Sequence, residues 1–197
     1  MDYTCDHNLF LALNFDGGPV MDTLMTAVSG TLIWIPLYIF IVFWVWRSKG
    51  WKTALAFVIC LAVALGLADM LCGIFKHSGL LKHVWESFPA RHRPMFTEEL
   101  RGAVHVVSYR HGPYGTVSAH AATVAALAVM SCLEIRRTWF TALMLFITLL
   151  ICYSRIYLAC HFPLDLALGT GVGIVAGGVM FLLYKKLRAT VEKYAEK

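Results

Sequence analysis

Apolar residues run along this chain in long blocks separated by short polar breaks, and the block lengths set the architecture. About 20 apolar residues carry a helix across the hydrocarbon of a bilayer. Five blocks reach or nearly reach that length: residues 29–46, 53–75, 117–133, 139–158 and 164–184. They predict five spanning helices. Ahead of them lie shorter apolar stretches at 8–13 and 20–28, divided by Asn14-Phe15-Asp16-Gly17-Gly18-Pro19, which has the composition of a turn. These predict two short amphipathic helices at the interface. The single long polar connection runs from 76 to 114. A loop of that length usually serves a function or is disordered, and its aromatics and basic residues favour function, with one or two short helices inside. No internal repeat and no low-complexity segment is visible.

Composition agrees with this reading. The 197 residues are 59% hydrophobic and 15% charged, with a mean hydropathy of +0.67, against about 25% charged for a soluble domain. So much apolar area cannot be hidden from water, and the expected fold is an all-α integral membrane helical bundle in one domain. The net charge of +5 does not point to nucleic acid, because the basic residues cluster beside apolar blocks. Arg47, Lys49 and Lys52 follow the first, Arg136 and Arg137 the third, and Lys185, Lys186, Arg188, Lys193 and Lys197 the last. In a five-span chain these share one side, which the positive-inside bias makes cytoplasmic. The acidic N-terminal segment, the 76–114 loop and the 160–163 corner are then outside a cytoplasmic (inner) membrane. No lysine or arginine precedes residue 47, so a basic leader is not expected. Cys60, Cys132 and Cys152 sit inside apolar blocks as small hydrophobes, and no cysteine or histidine spacing suggests a metal site.

The chemistry is concentrated in three segments that this topology brings to the outer end together. One is Arg91-His92-Arg93-Pro94 in the long loop. The second is Tyr114-Gly115-Thr116-Val117-Ser118-Ala119-His120, at the start of the third span. The third is Ser154 to Asp165, bridging the fourth and fifth spans. Ionisable groups at membrane depth are costly unless they serve something. Phosphoryl transfer needs charge to hold the oxygens, a nucleophile, and an acid for the leaving oxygen. Arg93 and Arg155 can clamp oxygens bidentately. Ser118 and the amides of Ala119 and His120 mark a helix N-terminus, where an anion is favoured. A neutral His161 can attack phosphorus. Asp165, four residues on, can orient its ring, and His120 can act as general acid. Each has a plainer reading: Ser118 as an N-cap, Arg155 as a snorkelling side chain, His161 with Asp165 as a structural pair. Their combination outweighs these. Asp69, alone in the second span, is a weaker candidate for function, with pairing to an arginine or to backbone as the plainer reading.

The set resembles the type-2 phosphatidic acid phosphatase family, whose superfamily includes the vanadium haloperoxidases. That family's pattern is Lys, six residues, Arg-Pro; then Pro-Ser-Gly-His; then Ser-Arg, five residues, His, three residues, Asp. Ser154, Arg155, His161 and Asp165 match the third part at every defined position, Val117-Ser118-Ala119-His120 matches the second at Ser and His, and Arg93-Pro94 matches the first. Glu86 stands where the family has lysine; either Lys82 or Lys76 takes that role through an insertion, the reading preferred here, or the first motif is degenerate. The resemblance implies a haloperoxidase-like core and a phosphatase that needs no metal or cofactor. It implies that His161 forms a phosphohistidine, that His120 or His161 activates water, and that Arg93, Ser118, Ala119, Arg155 and Lys82 bind phosphate.

A site at headgroup depth suits a phosphorylated lipid. The segment 114–122 resembles bacterial members, which favours an envelope lipid, undecaprenyl diphosphate or lipid A, over phosphatidylglycerophosphate or phosphatidic acid. A non-catalytic lipid-phosphate binder and a vanadate haloperoxidase are the readings from other classes. The oriented histidine counts against the first, and the membrane composition against the second.

Overall fold

A computed structural model of the protein describes residues 4–75, 91–108 and 112–195; Lys76, Lys82 and Glu86 lie outside them. The described chain is helical. Helices α1 (Thr4–Leu13) and α2 (Gly18–Ser29) precede a 3₁₀ turn at Leu32–Trp34, which runs into α3 (Ile35–Lys49). Then come α4 (Trp51–Ile74), two 3₁₀ turns at Pro94–Phe96 and Glu98–Leu100, α5 (Ala119–Ile135), α6 (Thr138–Tyr157) and α7 (Pro163–Ala195).

The predicted blocks map onto these helices with shifts at their ends. Gly30 closes α2, so the first span starts at the Leu32 turn rather than at Ser29. The last helix continues eleven residues past Tyr184 to Ala195. Arg188 Nε donates to Glu192 Oε1, 2.8 Å away on the next turn, a pairing that supports an exposed helix. Four segments are long and apolar enough to cross a membrane: Leu32–Lys49, Trp51–Ile74, Thr138–Tyr157 and Pro163–Lys193; Ala119–Ile135 is a shorter apolar helix.

Helix α5 is the hub of the bundle, and it packs on α7 with almost no gap. A Cβ placed on Gly169 would collide with the Ser118 carbonyl oxygen, and one on Gly173 with that of Ala122. On Gly177 it would lie 2.9 Å from the Ala126 oxygen. Small residues spaced by four let two helix backbones touch. The rest of the core joins Ile41 and Val45 of α3, Phe57 and Cys60 of α4, Met130 of α5, Met144 of α6 and Phe181 of α7. Outward, Leu145, Phe146 and Leu149 on α6 and Val175, Val179 and Leu182 on α7 are exposed, as a lipid-facing belt requires.

At the Lys49 end of the bundle, Glu134 is buried among three helices. It accepts from Lys49 Nζ at 2.6 Å and from the Tyr184 hydroxyl at 2.8 Å, with Arg188 Nη1 3.8 Å away. At the opposite end, α1 and α2 lie over the C-terminus of α6. Asn14, buried in the turn between them, donates to the carbonyls of Ile156 (3.1 Å), Tyr157 (2.9 Å) and His105 (3.2 Å), and accepts from the His105 amide at 2.8 Å. One side chain thus closes the end of a spanning helix and pins the loop beside it. His105 also bonds Asp22 at 2.9 Å, and Asp22 accepts from the Tyr157 hydroxyl at 2.6 Å.

Candidate active site

Backbone hydrogen bonds draw the three polar segments together. The amide of Arg93 donates to Pro113 O (2.8 Å) and that of Gly115 to Arg91 O (3.0 Å), an antiparallel bridge between His92 and Tyr114. The amide of Ser118 donates to Asp165 O at 3.1 Å, tying the start of α5 to the start of α7. Stretches far apart in the chain are thereby held in register by main chain rather than by flexible side chains.

Arg93, Val117, Ala119, His120, Arg155 and His161 meet around a cavity of about 370 Å³, joined by Thr31, Asp69 and Thr123. Ser118 lies just beneath, fully buried. As the N-cap of α5, its hydroxyl accepts from the Ala121 amide at 3.4 Å. The amides of Ala119 and His120 open the helix, where its dipole is most positive. His120 and Thr123 also line an apolar cleft of about 100 Å³ with Val28, Trp34, Leu37 and Ile147.

His161 is buried at the cavity floor. Its Nδ1 lies 3.0 Å from the Gly115 carbonyl, which can only accept, so the Nδ1 atom carries the proton and Nε2 keeps its lone pair. Nε2 lies 3.0 Å from Arg93 Nη1, which also donates to Cys160 O at 2.8 Å; Arg93 Nε donates to Gly112 O at 2.9 Å. Burial, with the charges of Arg93 and Arg155 close by, pushes the imidazole well below its ordinary 6.5. The ring is neutral, and the Nε2 lone pair, met here by Arg93 Nη1, is the nucleophile once phosphorus takes the place of that contact. Gly115 is held to its size: a Cβ there would sit 2.8 Å from Arg93 Cγ and 3.4 Å from Cys160 O.

Asp165, expected from its spacing to orient the ring, makes no hydrogen bond to it. Its Oδ2 is 3.7 Å from His161 Nδ1, beyond a hydrogen bond, and instead accepts from the Phe162 amide at 3.0 Å. Pro163 opens α7, so a carboxylate two residues into the helix turns back on the amide before it. The Oδ1 atom pairs with Arg91 Nη1 at 3.3 Å.

Arg91 and Asp6 are participants that sequence reasoning passed over. Arg91 bridges Asp165 and Asp6, with its guanidinium 3.9 Å above the Phe162 ring. Asp6 also accepts from the Leu164 amide at 3.0 Å. The visible signal was a second arginine two residues before the motif arginine; nothing in the N-terminal sequence pointed to Asp6. Arg155, nearly fully buried, donates to Ser29 Oγ at the end of α2. Lys82, expected at the phosphate, falls outside the described residues. Among the described residues, the acidic and histidine side chains close enough to share a cation are Asp16, Asp22 and His105, none of which lines the cavity.

The site is thus a cavity at one end of a helical bundle, lined by two arginines, the start of a helix and a neutral, oriented imidazole. Residues 51–189 match the model of the PAP2 superfamily, and the chain belongs to it. It is similar to a lipid A 4′-phosphatase of Bacteroides thetaiotaomicron, 29% identical over 98% of this chain and 83% of that protein. A lipid A 4′-phosphatase of Porphyromonas gingivalis is 28% identical over 93% of this chain and 75% of that one. The crystal structure of Aquifex aeolicus LpxE has the same fold, with a TM-score of 0.63 at 21% identity, over 91% of this chain and 96% of that chain.

Proposed function

We propose that this protein is a lipid A phosphatase, removing a phosphate monoester from the sugar headgroup while the acyl chains stay in the bilayer. One observation carries the reading. The cavity that gathers His161, His120, Arg93 and Arg155 shares His120 and Thr123 with an apolar cleft, so one opening can meet a phosphate and an acyl chain; the similarity to lipid A 4′-phosphatases along nearly the whole chain agrees with it.

His161 Nε2 attacks phosphorus, and the bond to the sugar oxygen breaks. Its electron pair goes to that oxygen, which takes a proton from His120. The phosphohistidine bears positive charge on the ring, which the Gly115 carbonyl and the Asp165 carboxylate stabilise. Water then attacks phosphorus, giving a proton to His120, the P–N bond breaks, and inorganic phosphate leaves. Arg93, Arg155 and the α5 N-terminus hold the equatorial oxygens throughout. These groups supply the charge a metal would otherwise bring, so the reading includes turnover without one. The basic Lys49 end lies in the cytoplasm, which puts the site at the outer face of the inner membrane.

The test is phosphate release from lipid A by purified protein in EDTA. Wild type releases phosphate, His161→Ala releases none, and His120→Ala is slower by about 10²–10⁴-fold. Loss of activity in EDTA with recovery in Mg²⁺, or full activity of His161→Ala, would overturn the mechanism.

A further inference from the structure

Asp69 lines the cavity beside Arg93, Arg155, His120 and His161. It is the one charged residue between Thr53 and Phe75, and five residues short of the end of α4, about 7.5 Å below it. Its neighbours Ala68 and Cys72 are buried against Val117, Ala122 and Ala126, so Asp69 is held to one position beside the start of α5. It is exposed to the cavity side, and no hydrogen bond or ion pair links it to a described residue. A carboxylate at membrane depth is costly unless it meets a partner. Here it also stands in a pocket built for anions, where it weakens the hold on any negative group next to it.

A neutral donor on the substrate removes the first cost and, unlike a second anion, adds nothing to the other. The transferred phosphate is met by Arg93, Arg155 and the helix amides, so the group left for Asp69 is the one that departs. Asp69 adds an acceptor to this part of the cavity, and the hydroxyls of Thr31 and Thr123 lie there too. Thr123 already spends its proton on Ala119 O, 2.9 Å away, and so can only accept. We infer that Asp69 and these hydroxyls form a leaving-group subsite that binds a hydroxyl or amide N–H beside the scissile ester, as on an acylated sugar, and that Asp69 repels a second phosphate there. The inference rests on the phosphatase reading above and sharpens it: a sugar phosphate fits, and a prenyl diphosphate, with its extra negative charge and no donor, does not.

The experiment compares kcat/KM for three substrates of matched chain length. They are a monophosphorylated N-acyl glucosamine lipid, a phosphatidic acid and a prenyl diphosphate, each with wild type, Asp69→Ala and Asp69→Asn. A hydrogen bond to a charged acceptor is worth about 10- to 100-fold. The sugar-to-phosphatidic-acid ratio falls by that factor in Asp69→Ala. The diphosphate-to-phosphatidic-acid ratio rises about tenfold in both variants, because both remove the charge. Ratios within twofold of wild type, or equal losses on all three substrates, overturn the subsite; equal losses would place Asp69 on the transferred phosphate instead. If wild type hydrolyses none of the three, the phosphatase reading itself fails, and the subsite falls with it.

Discussion

The Gly115 carbonyl sits 3.0 Å from His161 Nδ1, and that contact decides where the ring proton lies before any substrate arrives. A carbonyl cannot follow the proton or lose its acceptor character with pH, as a carboxylate can. Burial and two arginines then hold the ring below its usual titration range. The sign is clear: as pH falls through 6.5, an ordinary histidine charges and His161 does not. In a histidine NMR titration of the detergent-solubilised protein, the resonance lost in His161→Asn stays constant through pH 6.5 and shifts only at lower pH. A midpoint at or above 6.5 would show that burial and the two arginines do not hold the ring neutral. The unfolded chain takes up this proton near pH 6.5 while the folded one refuses it, so His161 lowers stability as the medium becomes acidic. At this scale the sequence was partly readable. Ser118, His120, Arg155 and His161 stand where spacing placed them, because each is tied to a helix end. The role of Gly115 was hidden, since a backbone carbonyl leaves no mark on residue identity.

At the scale of elements, the tightest joint is between α5 and α7. Gly169, Gly173 and Gly177 face backbone first and beside it the Cβ atoms of Ala121, Ala125 and Val129, so nothing can swing aside for a methyl group. Overpacking of this kind costs about 1–3 kcal/mol. Gly173→Ala therefore lowers the melting temperature in detergent by roughly 2–12 °C, at about 2–4 °C per kcal/mol for a chain of this size. Gly171→Ala, whose Cβ meets nothing within 4 Å, is the matched control, and a similar drop there would refute the argument. The blocks of apolar residues announced these helices. The joint was harder to see, because glycines spaced by four in a uniformly apolar run show no contrast with their neighbours. The sequence predicts interfacial helices for the α1–α2 segment, yet its polar residues reach deep into the fold. Asn14 bonds carbonyls 142 and 143 residues away, and Asp6 an amide 158 residues on. No local pattern encodes partners at that range.

Across the whole molecule, charge and chemistry occupy opposite ends. Lys49, Glu134, Arg136, Lys185 and Arg188 surround a polar recess at one end, and the cavity with His161 lies at the other. If the basic end is cytoplasmic, a thiol reagent that cannot cross membranes separates the two. Cys5, the one exposed natural cysteine, is labelled in intact spheroplasts. In Cys5→Ala with Arg136→Cys, labelling waits until the membrane is opened. The reverse pattern would invert the topology. The sequence carried this polarity openly, since lysines and arginines beside apolar blocks need no partner to be read.

The bond from Leu164 to Asp6 has a temporal side. Ribosomes finish α1 some 150 residues before the beginning of α7 exists, so Asp6 waits first for Arg91 and then, much longer, for the Leu164 amide. Arg91 likewise lacks Asp165 until then. The pocket is therefore sealed last, by a clasp between early and late chain. A nascent fragment stalled before residue 164 already holds His161, Gly115 and Arg93, but has neither Asp165 nor the Leu164 amide that straps the end of the site to Asp6.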